Sequence, residues 1–304
     1  MSKTWDVQVG VFGQNEATRI KACLTSISVA VGSRRALITL ILNGSTDDGE
    51  QRARAIAPGL GPDLRIYRIP HADKSNSINR FFYDLREPAD LYVCVDAYVT
   101  ISPGAIDAIE ARFAERPTAL TVTGVAGNGR TEPKSNTKTI ERGGVIHGQL
   151  YAMRPTFLRR VVDAGVRLPV SLYRGDGLIG SMTCHDLDPV TQPWIDQRLV
   201  GAAGAVFEID ALSLLRVKDL RRQFRRKVRQ MRGLVENAAI RKIVNKAGYT
   251  ALPDNADDMI RDFLVTNPVP QTSLPNRPFL ELALRQHRAA IRPVPALLEP
   301  VRVA

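Results

Sequence analysis

Four clusters of polar side chains each follow a run of β-prone residues in the first third of the chain. They are Gln14-Asn15-Glu16, Asn43-Gly44-Ser45-Thr46-Asp47, Lys74 to Asn79, and Asp96 at the end of "DLYVCVD". Carboxylates, amides and an ammonium at strand ends are groups that bind ribose hydroxyls, phosphates or a hydrated cation. Each cluster alone is also what a helix cap needs, since Asn, Ser and Asp satisfy the free N–H groups of a first turn. Asp96 poses the sharpest question. Two carboxylates one residue apart at such a strand end would hold a divalent cation, but the second position here is Tyr98. A neutral phenol is a poor ligand for a hard cation. Further along, Asp176 stands between two glycines in "YRGDGLIG", where it can be a proton acceptor or a helix cap. His185 in "TCHDLDP" has acids at 186 and 188, and His147 stands alone; each is a metal ligand or a structural histidine.

The elements that must position these residues are regular at first. Apolar runs at 6–12, 37–42, 64–69 and 90–96 alternate with helical patterns, the first of which places Ile20, Leu24 and Ile27 on one face. Ser102 can cap and Pro103 can open the fourth helix. Continuous apolar strands alternating with helices predict an α/β fold, a mostly parallel sheet with helices on both faces. The four polar clusters then share one sheet edge. After Pro117 the pattern loosens: a strand in "ALTVTGVAG", a polar loop over 127–144, a strand and helix in "VIHGQLYAMRPTFLRRVVDAG", and more strand over 201–215.

The bulk numbers suit a globular chain: 304 residues, 44% hydrophobic and 24% charged. The start lacks the pattern of a signal peptide. The most apolar long stretch, Leu199 to Leu215, is broken by Glu208 and Asp210, so no membrane span is expected. Cys23, Cys94 and Cys184 form neither a zinc spacing nor a disulfide framework, which fits a reducing cytoplasm. The net charge of +11 is concentrated: between Arg216 and Lys246 stand twelve Lys/Arg and two acids, Asp219 and Glu236. Leu220, Phe224, Val228, Met231 and Val235 share a face of this segment, which predicts a basic amphipathic helix. From Ala251 on prolines are frequent, one short helix is expected over 279–291, and the last dozen residues read as a tail.

Six stretches, in order, resemble the inverting family 2 glycosyltransferases with the GT-A nucleotide-sugar fold. "VGVFGQNEATRIKACLTSI" is similar to that family's first strand, Asn-Glu turn and helix, and "LILNGSTDDG" to the turn that holds the nucleotide base. "DKSNSINRFF" resembles its Lys-x-x-x-x-Asn element, and "VCVDAYVTISPGAI" its Asp-x-Asp strand end, with Asp-Ala-Tyr in place of the usual motif. "GGVIHGQLYAMRPTFL" and "LPVSLYRGDGLIGSM" resemble its Gly-x-Leu-Tyr-Ala-x-Arg stretch and its acidic turn before a helix.

The resemblance, over about residues 5–235, implies transfer of one sugar from a UDP- or GDP-sugar to a hydroxyl acceptor (a glycan, lipid or small metabolite), with inversion. It implies Asp176 as general base and donor contacts from Asn15, Glu16, Asn43, Ser45, Asp47, Lys74, Asn79, Asp96, Tyr98, Arg154, Arg229 and Arg232. Mn2+ or Mg2+ would be held by Asp96 with His185 or His147. Alternatively Lys74, Arg154 and the Arg225–Arg232 stretch neutralise the diphosphate without metal, the reading that Tyr98 favours. The family's Gln-x-x-Arg-Trp element is degenerate here ("QFRRK", "RQMRG") and lacks tryptophan, which points to a non-processive enzyme. The implied organisation is a core over 1–215, with a nucleotide-binding part at 5–117 and an acceptor part at 118–215, a basic helix over 216–250, and a proline-rich arm over 251–304. The helix suits an anionic membrane surface through residues 216–246, hence a cytoplasmic or peripheral location. Three rivals stand beside this reading: an inactive or regulatory nucleotide-binding relative, a nucleotidyltransferase, and a basic nucleic-acid-binding protein. The nucleotidyltransferase is disfavoured because "FGQNEATRI" is not its Gly-rich loop. Nucleic acid is not expected as a partner, because the charge is confined to one helix with no aromatic stacking platform.

Overall fold

The computed structural model describes residues 4–128, 139, 142–209, 217–288, 290 and 292–304, and leaves aside the side chains of 217–222 and 288. Most of the expected loop at 127–144, the expected strand beyond Ile209, and the Leu220 side chain lie outside these residues.

Strands β1 (Val7–Gly13), β2 (Ala36–Asn43), β3 (Asp63–Ile69) and β4 (Tyr92–Asp96) form a parallel block ordered β3-β2-β1-β4. Every residue of β1, β2 and β4 is buried, as a sheet covered on both faces requires. The two-residue period divides the strands between two cores. Val7, Val9, Val11, Val93 and Val95 face helices α1 (Ile20–Val31) and α4 (Ala105–Glu115). Phe12, Leu37, Ile41, Tyr92 and Cys94 face α3 (Lys74–Tyr83), α5 (Pro155–Asp163) and α6 (Gly175–Cys184). Helix α2 (Gly49–Ile56) follows β2. Phe12 pairs with Asp96 and Asn43 with Ile69, so the four polar clusters do share one edge. The three cysteines are buried and unpaired.

The rest of the sheet departs from the mostly parallel expectation. Strand β7 (Leu150–Met153) runs antiparallel between β4 and β6 (Thr121–Ala126). Strand β8 (Leu199–Ile209) is parallel to β6 and antiparallel to β5 (Val99–Ile101). The reversal of β7 matters for function. Residues that precede it (147–149) stand at the Asp96 edge, while Arg154, just after it, stands at the opposite edge.

The basic segment forms α7 (Val217–Ala247), and its apolar stripe is occupied. Val235 packs with Ile260 of α8 (Ala256–Thr266) and Leu280 of α9 (Arg277–Arg288), and Met231 joins the same cluster. Phe224 meets Phe279 with ring centroids 5.4 Å apart, although it stays half exposed. Helix α8 was not expected from the sequence; Asn255 caps it, its side chain accepting from the Asp257 N–H at 2.7 Å. The last dozen residues are not a tail. Val301–Arg302 form β9, antiparallel to β3, and the preceding backbone is tied to α3 and the turn before it. The His71 N–H donates to Leu297 O at 3.0 Å and Asn76 Nδ2 to Leu298 O at 2.9 Å. The free edge of β3 recruits this segment, a contact too distant in sequence to show as a local pattern.

Candidate active site

Helix α3 begins on Asp73, whose Oδ1 accepts the Asn76 N–H at 2.8 Å and whose Oδ2 accepts the Ser171 N–H. This cap sets Lys74 at the first helical position, at the mouth of the sheet edge. Lys74 Nζ lies 2.5 Å from Asp96 Oδ1 and donates to Gly148 O at 3.0 Å. Burial pushes the Asp96 carboxyl above its usual range, and the Lys74 charge works against that push. Burial also pulls on the Lys74 ammonium, but the charges of Asp96 and Asp176 outweigh it and raise its pKa. The Tyr98 hydroxyl accepts from Gln149 Nε2 at 3.4 Å and lies near Asp96; burial and the Asp96 charge raise its pKa and keep it neutral. Tyr98 therefore sets a neutral phenol beside Asp96 where a second carboxylate would stand.

Asp176 lies in the first turn of α6, where its Oδ1 accepts the Gly177 N–H at 2.9 Å. Its Oδ2 rests against Gly148 so closely that a Cβ there would come within 2.4 Å of it. Glycine at 148 thus lets Asp176 close against the same residue whose carbonyl Lys74 grips. Gly175 is equally confined, since a Cβ would meet Ser75 Oγ at 2.7 Å. One carboxylate paired with an ammonium, and a second carboxylate close enough to act on both, form a single cluster. That is an arrangement able to hold a polar ligand and take a proton from it.

The turn that carries Asp176 is held from behind by α7. Glu236, fully buried, accepts the N–H groups of Tyr173 (3.1 and 3.2 Å) and Arg174 (3.3 Å). Burial raises its pKa against the opposing charge of Arg232. Arg232 pairs with Glu236 at 2.8 Å and Asp257 at 3.0 Å, and donates to Ser171 O at 2.7 Å. Asp257 meets His287 Nδ1 at 2.7 Å; burial pushes Asp257 up, but His287 and Arg232 outweigh it and hold it below the usual range. Asp73, Gly148, Glu236, Asp257 and His287 were not foreseen as part of this assembly. The one available signal was Glu236, one of only two acids among the twelve cations of its segment.

Along the rest of the edge, Asn15 adopts the left-handed conformation (φ 56°) and its Oδ1 accepts the Thr46 N–H at 2.8 Å. Ser45 Oγ accepts the Asn15 N–H at 3.2 Å, and Asp47 accepts those of Ala17 (2.8 Å) and Gly49 (3.2 Å). Buried Asn43 donates to Gly13 O at 3.2 Å, and Glu16 pairs with Arg19 at 2.8 Å. These bonds weld the first two turns into one surface beside Lys74 and Asp96.

Six expected residues are not brought to this cluster. Asn79 exchanges hydrogen bonds with Leu168 (2.8 and 2.9 Å), a buried structural clamp. Arg154 donates to Ala119 O at 2.6 Å and Phe113 O at 2.7 Å and stacks on the Phe113 ring at the far edge. Arg232 is engaged in the clamp behind the Asp176 turn, and Arg229 lies over the Tyr173 ring at 5.6 Å. His185 follows α6, about 14 Å along the helix axis from Asp176. The His147 ring packs on Phe207, 5.7 Å between centroids. Among the described residues no three His, Cys, Asp or Glu side chains converge as a metal cluster.

No protein-family model and no curated protein matches the sequence. Solved structures do match in fold. A mannosyltransferase from Pyrobaculum calidifontis, bound to GDP-Man and Mn2+, superposes with a TM-score of 0.59 at 19% identity, over 95% of this chain and 83% of that one. Residues 1–349 of TarS from S. aureus, bound to UDP-GlcNAc, give a TM-score of 0.57 at 15% identity, over 93% and 80%. The fold is that of the GT-A-type nucleotide-sugar glycosyltransferases.

Proposed function

We propose that this chain transfers a sugar from a nucleoside-diphosphate sugar to a hydroxyl acceptor, with inversion. The observation that carries the reading is the cluster where Asp176 Oδ2 rests on Gly148 while Lys74 joins Gly148 O to Asp96. The Asn15–Asp47 surface takes the base, and Asp96 the ribose hydroxyls. Lys74 stands nearest the diphosphate as an ammonium whose charge is secured by two carboxylates. Asp176 takes the proton of the acceptor hydroxyl as its oxygen bonds to the anomeric carbon and the bond to the diphosphate breaks. Charge building on the leaving group meets a donor already in place, which needs no reorganisation.

The P. calidifontis protein holds Mn2+. In this chain Asp96 is engaged by Lys74 and Tyr98, and no further carboxylate stands beside it in the sequence motif. The donor set fits a cation-neutralised diphosphate better than a divalent ion, and we read metal dependence as weak or absent.

Among the described residues no helix is long and apolar enough to cross a membrane. Contact with an anionic lipid surface would run through the exposed cations of α7, including Arg225, Arg226, Arg241 and Lys242.

The test is thermal stabilisation by UDP, GDP and their sugars, since a ligand at 100 times its Kd stabilises by about 2.7 kcal/mol. A rise of several degrees with one nucleotide family is expected. No shift with any nucleoside diphosphate, together with no sugar release, would sink the proposal.

A further inference from the structure

A cavity of about 600 Å3 lies between the loop at 188–194 and α7, beyond the far end of α6 from Asp176. Ser181, His185, Gln192, Trp194, Arg241 and Asn245 line it. Trp194 is 46% exposed, whereas the other tryptophan of the chain, Trp5, is 9% exposed. Leaving so large an apolar ring half in water forgoes burial energy that a core position would give.

The exposure is built, not incidental. Trp194 Nε1 donates to Asp196 Oδ1 at 2.6 Å, and the ring packs T-shaped with His185 at 5.4 Å. The loop itself is stapled. Asp188 Oδ1 accepts the N–H groups of Val190 (3.1 Å) and Thr191 (3.0 Å), His185 Nδ1 bonds Gln192 O at 2.9 Å, and the Ile195 N–H reaches Cys184 O at 3.0 Å. It starts with two successive left-handed residues, Asp186 (φ 52°) and Leu187 (φ 68°). A leucine in that region is strained, and such strain persists where surrounding structure enforces it for a purpose.

We propose that this cavity binds a sugar ring of a glycan, stacked on Trp194. A pyranose presents an apolar C–H face that suits the electron-rich face of an indole, and a rim of hydroxyls that needs fixed polar partners. Ser181, Gln192 and Asn245 supply hydroxyl and amide groups, and Arg241 supplies a cation for a carboxylate or phosphate substituent. The volume lies within the range of small-ligand sites. The cavity adjoins the helix that carries Asp176, so a glycan held here extends the acceptor side. That role as acceptor rests on the transferase reading; the binding itself does not.

The experiment titrates the full chain with maltotriose, chitotriose and trigalacturonate, by calorimetry and by tryptophan emission. Saturable binding of at least one is expected, with a change in Trp194 emission. Trp194→Ala should weaken it about tenfold or more, Trp194→Phe less, and Asn245→Ala should weaken it while retaining the emission reporter. Stabilisation by UDP or GDP should be unchanged in all three variants, which also verifies that they fold. No saturable signal with any trisaccharide at millimolar concentration, or equal affinity in Trp194→Ala, overturns the site. Absence of nucleotide stabilisation in the unaltered chain would fail the transferase reading and leave a measured glycan site standing.

Discussion

At the scale of single residues, the proposed chemistry rests on Asp176 and Tyr98. Asp176 rests against Gly148, whose carbonyl Lys74 grips, and its charge acts on Lys74 together with that of Asp96. Asp176→Asn keeps the shape and the Gly177 contact but removes the proton acceptor. Turnover should fall by ~10²-fold or more, as for a lost general base, with nucleotide stabilisation intact. Near-normal turnover would remove Asp176 from the mechanism. Tyr98 sets a neutral phenol beside Asp96, a poor ligand for a hard cation. Sugar transfer should therefore survive exhaustive EDTA treatment. Complete loss, restored by Mn2+ or Mg2+, would show that Asp96 leaves Lys74 for the metal when the donor binds. Tyr98→Asp offers a second reading, since it should gain little without metal and acquire a response to added Mn2+.

At the scale of elements, the turn that carries Asp176 is held by α7. Two N–H groups of the turn before Asp176 end on Glu236, and Arg232 fixes that carboxylate in turn. Glu236→Ala leaves both N–H groups without a buried acceptor and frees the turn. Because reacting groups misplaced by about 1 Å cost large factors in rate, kcat should fall about tenfold or more. KM for the donor should change little, since the bonds of Glu236 go to Tyr173, Arg174 and Arg232 and not to the Asn15–Asp47 surface. Glu236→Gln retains one acceptor oxygen and should recover part of the rate. A lowered melting midpoint with an unchanged kcat would mean that Glu236 is structural only. The same network explains why a helix read as a cationic surface element carries a buried acid at all.

At the scale of the whole molecule, the charge of +11 is concentrated on a helix whose apolar face is already spent. Val228, Val235 and Ala239 are buried against the protein, so among the described side chains of the helix Phe224 is the one large apolar group left exposed. Attraction to anionic vesicles should then be electrostatic, about 1 kcal/mol per Lys or Arg near the lipid. Co-sedimentation with phosphatidylserine vesicles should fall steeply as salt rises, because exposed charges are screened over ~10 Å at 0.1 M. Equal sedimentation with neutral vesicles would refute a charge-driven contact, and salt-resistant binding would point to insertion of Phe224 and its neighbours.

The alternation of β1 to β4 with α1 to α4, and the gathering of four polar clusters at one edge, were legible in the residues themselves. Strand and helix periods are local properties, and a parallel block puts every strand's end on the same side. The Gly-Asp-Gly turn was likewise legible through resemblance. Tertiary structure alone decided the direction of β7, which sends Arg154 to the far edge and brings Gly148 to the site. It decided that Asn79 and Arg232 hold the scaffold, that Glu236 reaches the Asp176 turn, and that residues 301–302 close the β3 edge. Each of these is a contact between segments tens to hundreds of residues apart. A side chain's type and neighbours in the chain state which bonds it can make, but only the packed fold states which partner arrives first.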